Sequence, residues 1–302
     1  MNIKEIEIKN LRCLINKKIE FYKNTNIIYG ENGSGKTSIL EGIHILCYSK
    51  SFRPSKKNNI ITKKQNSMLI KGVFTTDIKK QIKIKHTRVA LEKKITLNNK
   101  KIKKTSELIG SIPCVVLSPE DIDVVSGPNN NKIKYIDKIL STCSAKYLKN
   151  LIEFKNTLKQ RNRLLKTTHT KTELDVWCEK MATPAINIWK ERLVFFKEYQ
   201  NKVQEEYNNI NIKGKVEIVY KTQTKPTKQS FIKKSNKNLT KDIKLKQTTL
   251  GPHKDVIEMF WDNKDMRNDA SQGEKKLFLI ALKKTEAMYF YKKTNKKPVV
   301  LL

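Results

Sequence analysis

Gly30-Glu31-Asn32-Gly33-Ser34-Gly35-Lys36-Thr37 decides the fold. Two glycines five positions apart, followed at once by Lys and Thr, fit the phosphate-loop pattern G-x-x-x-x-G-K-[ST], and Gly33 adds a third glycine. Several backbone N–H groups must turn inward on one polyphosphate, which needs glycine where a Cβ would collide or where φ must be positive. Lys36 then supplies a point charge for the outer phosphates, and Thr37 a hydroxyl for Mg²⁺. The flanks agree. Ile27-Ile28-Tyr29 reads as a short buried strand entering the loop, and Ile39, Leu40, Ile43, Leu46 and Cys47 fall on one face of a helix leaving it. Strand, loop and helix N-terminus together form an anion site.

Outward from the loop, alternation marks strands. Ile6 and Ile8, then Ile19 and Phe21, read as a hairpin feeding the loop. Met68 to Ile102 alternates with period two and reads as an antiparallel sheet turning at Asn98-Asn99. Pro54, after Ser51-Phe52-Arg53, is expected to stop the first helix. Val115 to Leu117 is a further buried strand, and Ser118-Pro119-Glu120-Asp121 has the N-cap chemistry of a helix start. Helical periodicity follows Asn129-Asn130-Asn131 for most of eighty residues, with stripes such as Ile133, Ile136, Ile139 and Leu140. Lys221 to Lys246 is Lys-rich and nearly free of large apolar residues, so it reads as a mobile basic connector. Val256 to Trp261 and Val299 to Leu302 are strand candidates, separated by a helix striped by Leu277, Ile280, Ala281 and Met288.

The chain has 302 residues, enough for one large domain or two lobes. Its N-terminus mixes Ile with Lys and Glu, unlike a signal peptide, and no run reaches the length of a membrane span. The five cysteines are scattered without a C-x-x-C pair, which argues against a zinc site or a disulfide framework and for a reducing cytoplasm. Lys and Arg number 63 against 29 acids, a net charge of +34. That excess points to a polyanionic partner such as nucleic acid. Lys, Asn and Ile are also abundant on plain solvated faces, as a genome rich in A and T would produce, and both readings stay open.

Ser271-Gln272-Gly273-Glu274 is a second loop in which a hydroxyl and backbone N–H groups meet at a helix start. With the first loop it resembles the signature motif of ATP-binding-cassette ATPases. Ser271 lies much farther from Lys36 than in transporter cassettes, with a helical segment between, which is similar to the SMC-type head. Within that branch, Ser51-Phe52-Arg53, Ser118 to Asp123, Leu158-Lys159-Gln160-Arg161-Asn162, Gly251-Pro252-His253-Lys254-Asp255 and Ser271 to Glu274 stand in the order of the RecF family. The resemblance covers essentially the whole chain.

The resemblance implies an α/β fold: an ABC/SMC-type P-loop ATPase lobe (mixed sheet with flanking helices) at 1–118 and 247–302, and an inserted mainly helical lobe at 119–246 with its connector at 221–246. It implies ATP and Mg²⁺ as cofactors, with Gly30, Glu31, Asn32, Gly33, Ser34, Gly35, Lys36 and Thr37 holding ATP and Thr37 reaching the metal. Ser271, Gln272, Gly273 and Glu274 are expected to act in trans in an ATP-dependent homodimer. The implied function is cytoplasmic DNA repair and replication maintenance: binding duplex DNA near single-strand gaps and assisting RecA loading with RecO and RecR, without a membrane. Arg53, Arg161, Arg163 and His253 are candidates for phosphate or DNA contact. A structural or solvated role is the alternative for Arg53, and a hydrogen-bonded structural one for His253.

In this family an acidic pair, the Walker B carboxylates, follows a buried strand of four apolar residues. Val299 to Leu302 is such a strand, and the sequence ends before any acid. No catalytic carboxylate is therefore assigned, and the chain as written is expected to hold nucleotide but hydrolyse it poorly. Either the sequence is a piece of a longer protein or the gene has been shortened. The competing functions are a non-catalytic DNA-binding or scaffold remnant of the same family, and an ATPase-coupled nuclease of the overcoming-lysogenisation-defect type, which needs a further acidic metal-binding domain.

Overall fold

A computed structural model describes residues 1–53, 60–75, 79–87, 93–167, 170–210 and 214–302. Packing divides the chain into two compact units, Met1–Glu120 with Ala287–Leu302, and Asp121–Glu286.

The first unit is built on six antiparallel strands in the order β2-β1-β3-β4-β5-β6: β1 (Asn2–Leu11), β2 (Leu14–Glu20), β3 (Ser67–Thr75), β4 (Lys79–Thr87), β5 (Lys93–Leu97) and β6 (Lys100–Lys101). Alternation sets which face is buried. Ile6 and Ile8 of β1, Ile70 of β3 and Ile82 and Ile84 of β4 are all inaccessible to solvent and share a core with Ile43 and Leu46 of helix α1 (Lys36–Tyr48). Between β5 and β6, Asn98 and Asn99 both adopt positive φ (49° and 63°), the backbone of the tight hairpin expected there. A separate parallel pair joins β7 (Cys114–Val116) to β11 (Val299–Leu301), and Tyr48 at the end of α1 donates its hydroxyl to Cys114 O at 2.9 Å.

One expected strand is not there. Ile27 and Tyr29 are 83% and 90% exposed, and no strand forms between β2 and the loop. An apolar triplet supplies the side chains of a buried strand but not the neighbour that would complete its ladder, and among the described residues β11 pairs only with β7. Pro54 lies outside the described residues.

The second unit holds α2 (Asn129–Cys143), α3 (Ala145–Leu164) and α4 (Lys171–Asn208), then a three-stranded sheet of β8 (Val216–Lys221), β9 (Val256–Trp261) and β10 (Lys264–Asp265), with α5 (Lys228–Leu245) between β8 and β9. The start of α6 (Gln272–Thr294), through Glu286, also belongs to it. Two sequence expectations change. Lys221 to Lys246 is largely helix α5 rather than a mobile connector: Thr227 caps it, accepting from Ser230 N at 3.3 Å, and Phe231, Ser235 and Asp242 bury one face. Residues 247–286 pack with the helices instead of with the loop-bearing unit, tied by Thr248 to Arg161 and by Asp255 to Trp189 and Arg192. No described helix is long and apolar enough to cross a membrane.

Candidate functional site

Gly30 to Thr37 forms a tight loop ahead of α1. Gly33 and Gly35 have φ of 84° and 99°, a region side chains disfavour, and a Cβ on Gly35 would fall 2.6 Å from Leu14 Cδ2 and 3.2 Å from Cys13 Sγ. The turn between β1 and β2 thus backs the loop. Gly35 is the N-cap of α1 and offers no side chain, the first turn carries no acid, and the amides of Lys36, Thr37 and Ser38 have no hydrogen-bond partner among the described residues. Unpartnered amides and the positive end of the helix dipole converge where the loop opens. Lys36 folds back across the loop, its ammonium donating to Gly30 O at 2.7 Å and Glu31 O at 2.8 Å. Thr37 is exposed, as are Glu31, Asn32, Gly33 and Ser34. A cavity of about 620 Å³ opens beside Lys36 and Thr37, with Ile28, Leu40 and the β11 strand in its wall. These features fit a nucleotide triphosphate: amides and a lysine for the phosphates, an accessible hydroxyl for a magnesium ion.

A residue set that sequence reasoning missed holds the loop in place. Glu41, one turn into α1, is fully buried and accepts from Arg12 Nε (3.0 Å) and Nη2 (2.8 Å), a bidentate pair, and from Ser51 Oγ at 2.6 Å. Arg53 Nη1 approaches the same carboxylate at 3.6 Å, and Phe52 packs edge-on against His44. Ser51-Phe52-Arg53 therefore packs against α1, with the Arg53 side chain still 39% exposed. The signal was Glu41 itself, the single acid in a helix otherwise without charge after Lys36.

Arg161 and His253, both candidates for DNA or phosphate contact, instead lie within one polar cluster of the second unit. Arg161 is 1% exposed and donates Nη1 to Asp242 Oδ2 (2.7 Å) and Thr248 Oγ1 (2.8 Å). Asn162 Oδ1 accepts from Thr248 N and Oγ1, both at 2.7 Å, and Thr248 O is 3.1 Å from His253 Nε2. The His253 ring lies against Phe154, and burial pushes its pKa down to about 4, so it stays neutral at ordinary pH. Nearby, Asp255 receives Trp189 Nε1, Arg192 Nη1 and the Tyr220 hydroxyl at 2.8, 2.6 and 2.5 Å, while Arg192 Nη2 donates to Asp137 at 2.7 Å. The two sequence motifs, Leu158 to Asn162 and Gly251 to Asp255, are two sides of this buried network. Arg163 alone of the four candidates remains exposed without an ion pair among the described residues.

At the start of α6, Ser271 and Glu274 form a capping box: Ser271 N donates to Glu274 Oε2 at 2.6 Å, and Glu274 N to Ser271 Oγ at 3.2 Å. The Ser271 amide holds the Glu274 carboxyl below its usual range. Ser271, Gln272 and Gly273 are exposed, and the Ser271 hydroxyl is held by the Glu274 carboxylate as well. Farther along, Lys283 joins Asp121 (2.9 Å) to Glu286 (3.9 Å), which ties the Ser118 to Asp123 motif to this helix.

A family model described as an AAA domain matches residues 5–296. The DNA replication and repair protein RecF of Prosthecochloris aestuarii is 31% identical over the whole chain, which covers 85% of that protein. A solved structure of the recombination mediator protein RecF with ATP, in the RecFOR pathway, superposes with a TM-score of 0.94 at 30% identity, covering 99% of this chain and 84% of that one. The Smc head domain of Pyrococcus furiosus, at 16% identity and a TM-score of 0.53 over 99% of this chain and 88% of its own, shares the fold alone. The fold is thus the ABC/SMC-type P-loop ATPase architecture, and by sequence over its full length the chain belongs to the RecF family of DNA replication and repair proteins.

Proposed function

We propose that this chain is an ATP-responsive DNA-maintenance protein that grips duplex DNA near single-strand gaps and helps load RecA together with RecO and RecR in the cytoplasm. The first unit is the core of the ATPase lobe and the second the inserted, mainly helical lobe. ATP lies on the Gly30 to Thr37 loop, with Lys36 exchanging its two carbonyl partners for phosphate oxygens and Thr37 turned to Mg²⁺. The bound Mg²⁺ supplies charge neutralisation between phosphates. A second copy contributes Ser271 to Glu274, whose exposed helix start, with a hydroxyl and backbone amides, suits the outer phosphate, so ATP joins two chains. DNA is met by exposed basic residues of the second unit: Lys159 and Arg163 one turn apart on α3, and Lys233, Lys237, Lys241 and Lys244 at helical spacing on α5.

The unpartnered amides of Lys36, Thr37 and Ser38 at the uncapped start of α1 support this reading most directly. Its test is nucleotide affinity and sedimentation with and without ATP. Lys36→Ala is expected to weaken ATP binding about tenfold or more, as loss of a charge-assisted contact should, and to abolish ATP-dependent dimers. Equal ATP affinity in the two proteins would overturn the assignment of the site.

A further inference from the structure

The six-stranded sheet is open at β2, which lies at its end and among the described residues pairs only with β1. Just past the strand, Phe21 N donates to Lys4 O at 2.9 Å, and alternation from that rung turns the amides of Lys17 and Ile19 towards β1. The N–H and C=O groups of Asn16, Lys18 and Glu20 therefore point away from the sheet, with no backbone partner among the described residues. Side chains leave this edge uncovered as well. Helix α1 packs across β1, β3 and β4, and beyond it Ile15 stands 68% exposed. Register puts Lys17 and Ile19 on the face shared with Ile8 and Ile6, and alternation adds Ile15. Lys17 is exposed and has no ion-pair partner among the described residues, whereas Lys18, on the other face, is held by Glu5 at 3.0 Å.

We propose that the free edge of β2 is a docking site for an extended acidic peptide of a partner protein, which joins the sheet as a further strand. Main-chain hydrogen bonds to Asn16, Lys18 and Glu20 supply the attachment, and alternate side chains the selection. An apolar residue opposite Ile15 covers its exposed side chain, and an acid two positions away gives Lys17 the counter-charge it lacks. A second copy of the chain is the wrong occupant. Two-fold pairing of the same edge sets Lys17 or Lys18 against its own counterpart, and like charges directly opposite repel. Lysines on an open edge thus turn away other basic edges and admit an acidic one. The net charge of +34 favours the same partner. None of these residues belongs to the nucleotide loop, the Ser271 to Glu274 helix start or the α3 and α5 surface, so the site goes beyond the function proposed above.

The test uses the whole chain and the synthetic peptide Thr-Val-Glu-Glu-Thr-Val, whose antiparallel register sets Val opposite Ile15 and Glu opposite Lys17. Peptide binding is expected to slow amide exchange at Asn16, Lys18 and Glu20. Asn16→Pro, which removes only an outward amide, is expected to keep the fold and weaken binding about five- to tenfold, the loss of one rung. Should that variant fail to fold, Lys17→Glu keeps the ladder whole and is expected to prefer the peptide carrying Lys in place of both Glu. No binding at about 1 mM peptide overturns the proposal. So does binding undiminished when the third and fifth peptide amides are N-methylated, since charge alone would then hold the peptide. Protection of the three amides that appears with protein concentration alone would make a second copy the occupant and overturns it too. The peptide is measured without nucleotide, and Lys36→Ala is expected to leave its binding unchanged, so this reading and that of the ATP site fail separately.

Discussion

Arg161 carries a charge that its place in a basic helix would send to solvent, yet it is among the largest fully buried side chains of the protein. The chemistry is local: Asp242 is also fully buried, and the guanidinium satisfies it at 2.7 Å while reaching Thr248. Asp242 keeps only the amide and hydroxyl of Thr249 when the arginine is removed. Breaking one side of such a pair leaves an uncompensated charge inside, which costs about 3 to 5 kcal/mol. Arg161→Ala is accordingly expected to lower unfolding free energy by about that amount in a denaturant titration, while the folded fraction keeps its duplex affinity. A loss of affinity with stability intact would return Arg161 to the DNA surface. The same locality explains what a linear reading missed at Glu41. Its partners Arg12, Ser51 and Arg53 come from both sides of the phosphate loop, and nothing in spacing alone pairs them.

Elements were legible where a periodic pattern and its partner lie close in sequence. The loop and α1, the β3 to β6 meander with its Asn98-Asn99 turn, and the α2 to α4 helices are all of this kind. Ile27 to Tyr29 was misread because a parallel strand depends on a distant neighbour. α5 was misread for a different reason: lysine-rich composition resembles a solvated linker, although lysine is a good helix former and one thin face of Phe231, Ser235 and Asp242 suffices to dock the helix. The two readings of this segment differ in a way trypsin can see. A mobile stretch with so many exposed lysines is cut first, whereas a docked helix must open before cleavage. Limited digestion of the native chain is expected to spare Lys233, Lys237 and Lys241 until general unfolding; early nicks at those positions would restore the connector.

At the scale of the whole molecule, the question is whether a charge of +34 is partner chemistry or genomic habit. Habit would scatter lysines and let acids find them. The structure instead keeps buried acids such as Glu41, Asp242 and Asp255 paired inside, while Lys83 and Lys85 stand exposed on a strand and Lys237, Lys241 and Lys244 line a helix. So large an imbalance makes the folded chain repel itself, and compactness brings the cations closer than they lie in the unfolded chain. Screening therefore favours the native state. Raising sodium chloride from about 0.05 to about 0.5 M shortens the screening length from roughly 14 to roughly 4 Å, and the melting temperature is expected to climb across that range. Chloride is the proper salt, since sulfate or phosphate would also stabilise by exclusion from the surface and by entering the loop at α1. Duplex DNA at low salt should raise the melting temperature as well, by binding the native state alone, and that gain should vanish at the high-salt end, where the counterion contribution to affinity is gone. A melting temperature indifferent to chloride would mean that the surface charges are already balanced in the folded chain.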